Sequence, residues 1–177
     1  MSLCSQAPRS AGSVGRESYG DLHDGQHPAG NRPGGHFANN AGATLFLSIH
    51  FNGNSDQGLN GATVYYDDAR AFRVKNAEFG RMVLDNLLLA TGAAGYELAG
   101  RGVTTDESAV GTGNHFYVLG PTGQKKPRAT RMVGALAEGA FVTNAHYAAL
   151  LAQETLLDTV AQGYASAIIQ WFGSAGR

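Results

Sequence analysis

Two residues of this 177-residue chain stand where an α/β protein usually does its chemistry. His50 closes the apolar run Ala43-Thr-Leu-Phe-Leu-Ser-Ile-His-Phe51, and Glu138 directly follows the apolar run Met132-Val-Gly-Ala-Leu-Ala137. In open α/β sheets, sites form in the crevice beyond the carboxyl ends of the strands, so residues at two such ends are expected to meet across one crevice. A neutral imidazole is a good zinc ligand, and a carboxylate beside an activated water takes its proton and later hands it to a leaving amine. The pair supplies half of a hydrolytic site. Spacing alone leaves the alternatives open: a histidine at a strand end also serves as a hydrogen-bonded packing residue, and a carboxylate there also faces water.

Other polar residues are weaker candidates. Asn52 is placed to orient His50 or touch substrate, Arg101 to hold a peptide carboxylate through a two-pronged pair, and His115 to line the cleft; each fits loop packing equally well. His23, His27 and His36 lie in a stretch with no apolar strand before it and read as loop histidines, and Glu17 has no helical context. The single Cys4 excludes both an internal disulfide and a thiolate metal cluster, so a metal here rests on His and carboxylates.

The elements that must position these residues divide the chain in two. Residues 1–36 are rich in Gly, Ser, Pro, Arg and His without apolar periodicity, and are expected to be disordered or irregular. From Phe37 to the end, strand-length apolar runs alternate with helical patterns, the signature of an α/β layer fold. Ala43–Phe51 reads as a central strand buried on both faces, and Ala62–Tyr66 as a second strand. Asp67 is the expected cap of a helix over 69–90, Arg101-Gly-Val103 a loop, and His115–Leu119 a short strand. Met132–Ala137 is the next strand. Asn144 caps a closing helical region whose last turns are expected to bury Tyr164, Ile168, Trp171 and Phe172.

Thirteen basic against fourteen acidic residues give a net charge of -1, so no field of one sign exists to hold nucleic acid or an anionic membrane. No stretch approaches the roughly 18 to 20 apolar residues of a membrane span, and the chain as given shows no secretory leader.

A resemblance sharpens these readings. The segment Ala41-Gly-Ala-Thr-Leu-Phe-Leu-Ser-Ile-His-Phe-Asn52 resembles the part of zinc N-acetylmuramoyl-L-alanine amidases in which a strand ends in Ser-Ile-His, a small residue and Asn. Leu136-Ala-Glu-Gly-Ala-Phe-Val-Thr-Asn144 is similar to the same family's second signature, and Arg101-Gly-Val103 followed by Phe116-Tyr-Val-Leu119 resembles its intervening segments in the same order. The resemblance implies that His50 binds zinc, that Glu138 is the catalytic carboxylate, and that the substrate is peptidoglycan or a muropeptide, cut between N-acetylmuramic acid and L-alanine. It implies a cell-envelope location, periplasmic or extracellular. The family's opening strand with a Gly-His-Gly-Gly-like turn, and the helix that gives a zinc Glu, have no match; Gly34-Gly-His36 and His23-Asp-Gly-Gln-His27 follow no strand.

The expectation is therefore an α/β domain over 37–177, with a twisted mixed or mainly parallel sheet flanked by helices and N-terminally incomplete relative to the family. Zn2+ is its implied cofactor, bound weakly by a site with one assigned ligand. Two rivals remain: a catalytically defective remnant that binds peptidoglycan, and a zinc peptidase acting on other amides.

Overall fold

The computed structural model describes residues 34–116, 118–120 and 130–174. The expectations for residues 1–33, with Glu17, His23 and His27, and for the His36 side chain fall outside the described residues, while residues 34–36, expected to be irregular, begin a helix at Gly34–Asn40.

Four strands form one mixed sheet in the order β1-β4-β2-β3, with β1 at Leu45–Asn52, β2 at Ala62–Tyr66, β3 at Gly100–Thr105 and β4 at Val133–Phe141. β1 pairs with β4 and β2 with β3 in parallel, while β2 and β4 run antiparallel. The helices are α1 (Gly34–Asn40), α2 (Arg73–Ala93), α3 (Glu107–Val110), α4 (Ala145–Leu151) and α5 (Glu154–Ser174).

The expected mixed sheet with flanking helices is present, but several elements differ from expectation. β1 lies at an edge and is mostly half-buried, so the strands enclosed on both sides are β4 and β2, and the alanines and glycines of β4 admit close helix packing. Arg101-Gly-Val103 is strand rather than loop: β3 needs a neighbour on one side only, and Val103 packs half-buried against the core. His115 and Phe116 form loop, and residues 118–120 a turn, in place of a strand; Phe116, Val118 and Leu119 spend their apolar surface on Phe46, Tyr65 and Leu136. The second helix starts at Arg73, and Asp67 closes a local turn by accepting from the N–H of Ala69 instead of capping it. Asn144 caps as expected, its side chain accepting from the N–H groups of His146 and Tyr147. Phe172 is about half exposed, while Tyr164 is buried and Ile168 and Trp171 pack against the core.

Strand alternation sorts the sheet into two faces. Leu45, Leu47, Ile49, Val64, Ala135 and Ala137 face α2 and α5 and form the main core with Phe79, Val83, Leu87, Val160 and Tyr164. The two helices approach so closely at Gly163 that a Cβ there would lie 2.9 Å from the Leu87 Cα. On the opposite face lie Phe46, Leu136 and Tyr65 in a smaller cluster.

One buried polar side chain knits the layers together. Asn76 of α2 donates to the Asp67 carbonyl at 2.9 Å and accepts from the Gly134 N–H at 3.0 Å, tying the end of β2 to the start of β4. Asn76→Ala strands both backbone groups in the interior, and each unpaired group costs about 1–3 kcal/mol. Urea unfolding should show a loss of roughly 2–4 kcal/mol, against less than about 0.5 kcal/mol for Glu78→Ala on the exposed side of the same helix.

Candidate functional site

His50 and Glu138 are register partners on the parallel strands β1 and β4, so their side chains leave the sheet on the same face, side by side. On its other flank Glu138 pairs with Thr63 of β2. Ser48, two residues before His50 and therefore on that face, places its Oγ 2.8 Å from His50 Nε2 and fixes the plane of the imidazole. Glu138 does not end its strand as expected: β4 runs on to Phe141, and the β1 pairing shifts register between His50 and Asn52, where the ladder bends beside the pair.

Burial alone raises the Glu138 carboxyl to about 7, because the charged form loses hydration there. Its Oε2 is buried without a hydrogen-bond partner, as is the hydroxyl of Tyr164, which burial and then the Glu138 charge push upward. Tyr65 is raised by the same two causes in the same order, which places its phenol within the field of Glu138. The arrangement can hold or move a proton at Glu138 near neutral pH and present an imidazole beside it.

The other polar candidates make their hydrogen bonds outside this pair. Arg101 is exposed, donates to the Asn60 carbonyl at 3.3 Å and stacks over Phe141. The Asn52 side chain, at the end of β1, accepts from the N–H of Gly53 next to it. His115 joins Asp67 and Asp106 in a buried group whose donor atoms all lie within 4.8 Å of one another. That group escaped sequence reasoning because Asp67 read as a helix cap and β3 as a loop. The available signal was an Asp directly after each of two strands, which become neighbours once β2 and β3 pair in parallel.

The zinc ion that the resemblance implies needs three protein ligands in a catalytic site. Among the described residues no third His, Cys, Asp or Glu gathers with His50 and Glu138, so those residues do not by themselves supply a complete catalytic set there.

With this geometry in hand, comparison with known proteins is decisive on kinship. A sequence profile of the N-acetylmuramoyl-L-alanine amidases matches residues 32–170. The chain belongs to that family. The catalytic domain of the N-acetylmuramoyl-L-alanine amidase CwlV from Bacillus (Paenibacillus) polymyxa var. colistinus superposes with a TM-score of 0.57 at 26% identity, over 78% of this chain and 63% of that one. An N-acetylmuramoyl-L-alanine amidase of Nostoc punctiforme gives 0.60 at 22% identity over 78% and 63%. One from Clostridium difficile gives 0.62 at 19% over 79% and 63%, and these last two agree on the fold. This amidase-family chain thus spans less than two thirds of each of these proteins. No functionally curated protein matches it.

The raised Glu138 carboxyl makes stability depend on pH. Between about 4.5 and about 7 the folded state holds a proton that the unfolded chain has released, so this residue's contribution is complete below that window and is lost as pH rises through about 7. In metal-free protein, urea unfolding should show wild type losing stability relative to Glu138→Gln between roughly pH 5 and roughly pH 8. An unchanged difference between the two proteins across that range would contradict the raised value.

Proposed function

We propose that this domain hydrolyses the amide between N-acetylmuramic acid and the L-alanine of the peptidoglycan stem peptide, at the cell envelope. The observation that carries the reading is the pairing of His50 with a half-buried Glu138, whose carboxyl is raised to about 7, on one sheet face in a chain of the amidase family. Glu138 takes a proton from the water whose oxygen bonds to the lactyl carbonyl carbon. It then delivers that proton to the L-alanine nitrogen as the carbon–nitrogen bond breaks. The carboxyl near 7 is poised for both transfers at neutral pH. Zn2+ is the proposed cofactor and His50 one of its donors; no step is assigned to the ion, because the described residues hold no full donor set for it.

That single donor favours a second reading, a peptidoglycan-binding domain with a defective site. Zinc content and turnover separate the two. The purified chain is dialysed against zinc, its metal content measured, and release of L-alanyl peptide from muropeptide followed. The amidase reading predicts slow release of amine that Glu138→Gln lowers by a further factor of about 10² or more, as general acid–base catalysts contribute about 10²–10⁴. Binding to purified peptidoglycan with no amine released would favour the second reading, and cleavage elsewhere in the stem peptide would favour a peptidase.

A further inference from the structure

Asp67 follows β2 and Asp106 follows β3, so both sit at the carboxyl ends of this parallel pair. Because β2 runs antiparallel to β4, that is the opposite end of the sheet from the reacting pair. Asp67 lies four residues beyond Thr63, the partner of Glu138, or about 13 Å at about 3.3 Å per residue.

The cluster is buried, and one of its carboxylate oxygens is left unpartnered. The side chains of Asp67, Asp106 and His115 are 1%, 0% and 9% exposed. Asp106 spends its Oδ1 on His115 Nδ1 at 2.9 Å and its Oδ2 on the Phe116 N–H at 2.9 Å. Asp67 accepts from the Ala69 N–H with Oδ1, 3.6 Å from the same His115 Nδ1, while its Oδ2 is buried with no hydrogen-bond partner at all. A buried carboxylate oxygen without a donor is costly. Beside the two carboxylates and the imidazole, the Arg70 guanidinium also acts on Asp67 while it donates to the carbonyls of Leu119 and Thr130. A doubly charged cation held by the two carboxylates and a neutral imidazole would supply the partner that the Asp67 Oδ2 lacks.

We propose that Asp67, Asp106 and His115 form a divalent transition-metal site, separate from the His50–Glu138 pair, that ties the ends of β2 and β3 to the chain at His115. Donor separations of 2.9 and 3.6 Å bracket the roughly 3.3 Å between ligands around a tetrahedral ion bonded at about 2.0–2.1 Å. Two carboxylates and an imidazole select zinc or manganese over calcium or magnesium, which prefer all-oxygen shells. Glu107 stands at the rim, with Oε1 3.7 Å from His115 Nε2 and accepting from the Gly113 N–H. The role is structural, and it stands whether or not the amidase reading does.

The test uses the full chain, stripped with a chelator and titrated with zinc chloride, followed by competition with a chromophoric chelator and by melting temperature. Zinc should raise the melting temperature of wild type and of His50→Ala. In Asp106→Asn that shift should vanish and affinity should fall by more than the roughly 10- to 100-fold that loss of an outer-shell partner costs. Should Asp106→Asn fail to fold, His115→Gln serves in its place, and cobalt bound to wild type and to His50→Ala should give the intense visible bands of a tetrahedral site. A zinc-induced shift that survives Asp106→Asn or disappears with His50→Ala would overturn the proposal. Absence of any zinc effect on wild type would equally overturn it, and would leave a buried Asp–His–Asp ion pair.

Discussion

Everything at the His50–Glu138 face depends on the register of β4. This strand is hydrogen-bonded on both sides, parallel to β1 and antiparallel to β2, and the two ladders together bring His50, Glu138 and Thr63 into one row across three strands. Side chains alternate with a period of two, so a slip of one residue would send Glu138 into the apolar layer under α5 and turn Ala137 out beside His50. Ala135 and Ala137 against the helices, and Gly134 beneath the Phe46 backbone and ring, hold the register, because larger side chains would not fit between those layers. The pair is thus positioned by the least reactive residues of the strand. Burial of the same strand withholds water from Glu138 and raises its carboxyl to about 7.

The mixed sheet also separates two polar clusters. Were all four strands parallel, every carboxyl end would lie on one edge, and Asp67, Asp106 and His115 would crowd the reacting pair. The antiparallel step between β4 and β2 sends them to the far edge. There the group sits between the strand ends and the turn carrying Val118 and Leu119, which covers the face of the sheet near Tyr65 and Leu136. Asn76 reaches the same corner from α2 through the Asp67 carbonyl, so the core and this polar group are joined through one residue.

Much of this was legible in the sequence, where one physical signal dominated. The apolar runs leading to His50 and Glu138 marked β1 and β4 because no other use of so many adjacent small and branched residues competes, and Asn144 marked α4 because a side-chain acceptor at that point has one obvious task. β3 was hidden by its own composition: Gly100, Arg101, Gly102, Thr104 and Thr105 suit an edge, where half of the strand faces water. His115–Leu119 misled in the other direction, since an apolar run that covers a sheet face from a turn has the same composition as a strand within it. The cluster of Asp67 and Asp106 with His115 was invisible because it joins three segments through pairings that no local pattern encodes. The shared face of His50 and Glu138 was expected from two strand ends; it arises from register partnership just before the ladder shifts, near the end of β1 but with β4 continuing past the glutamate.

The central claim is that the His50–Glu138 face directs water at one amide carbonyl. The most direct measurement is digestion of purified muropeptide in oxygen-18 water, over long incubation, with mass spectrometry of the products. The account predicts that the label enters the lactyl carboxylate of N-acetylmuramic acid and that the new amine belongs to L-alanine. Label at the reducing end of a sugar or at a carboxyl within the stem peptide, or no labelled product at all, would contradict it.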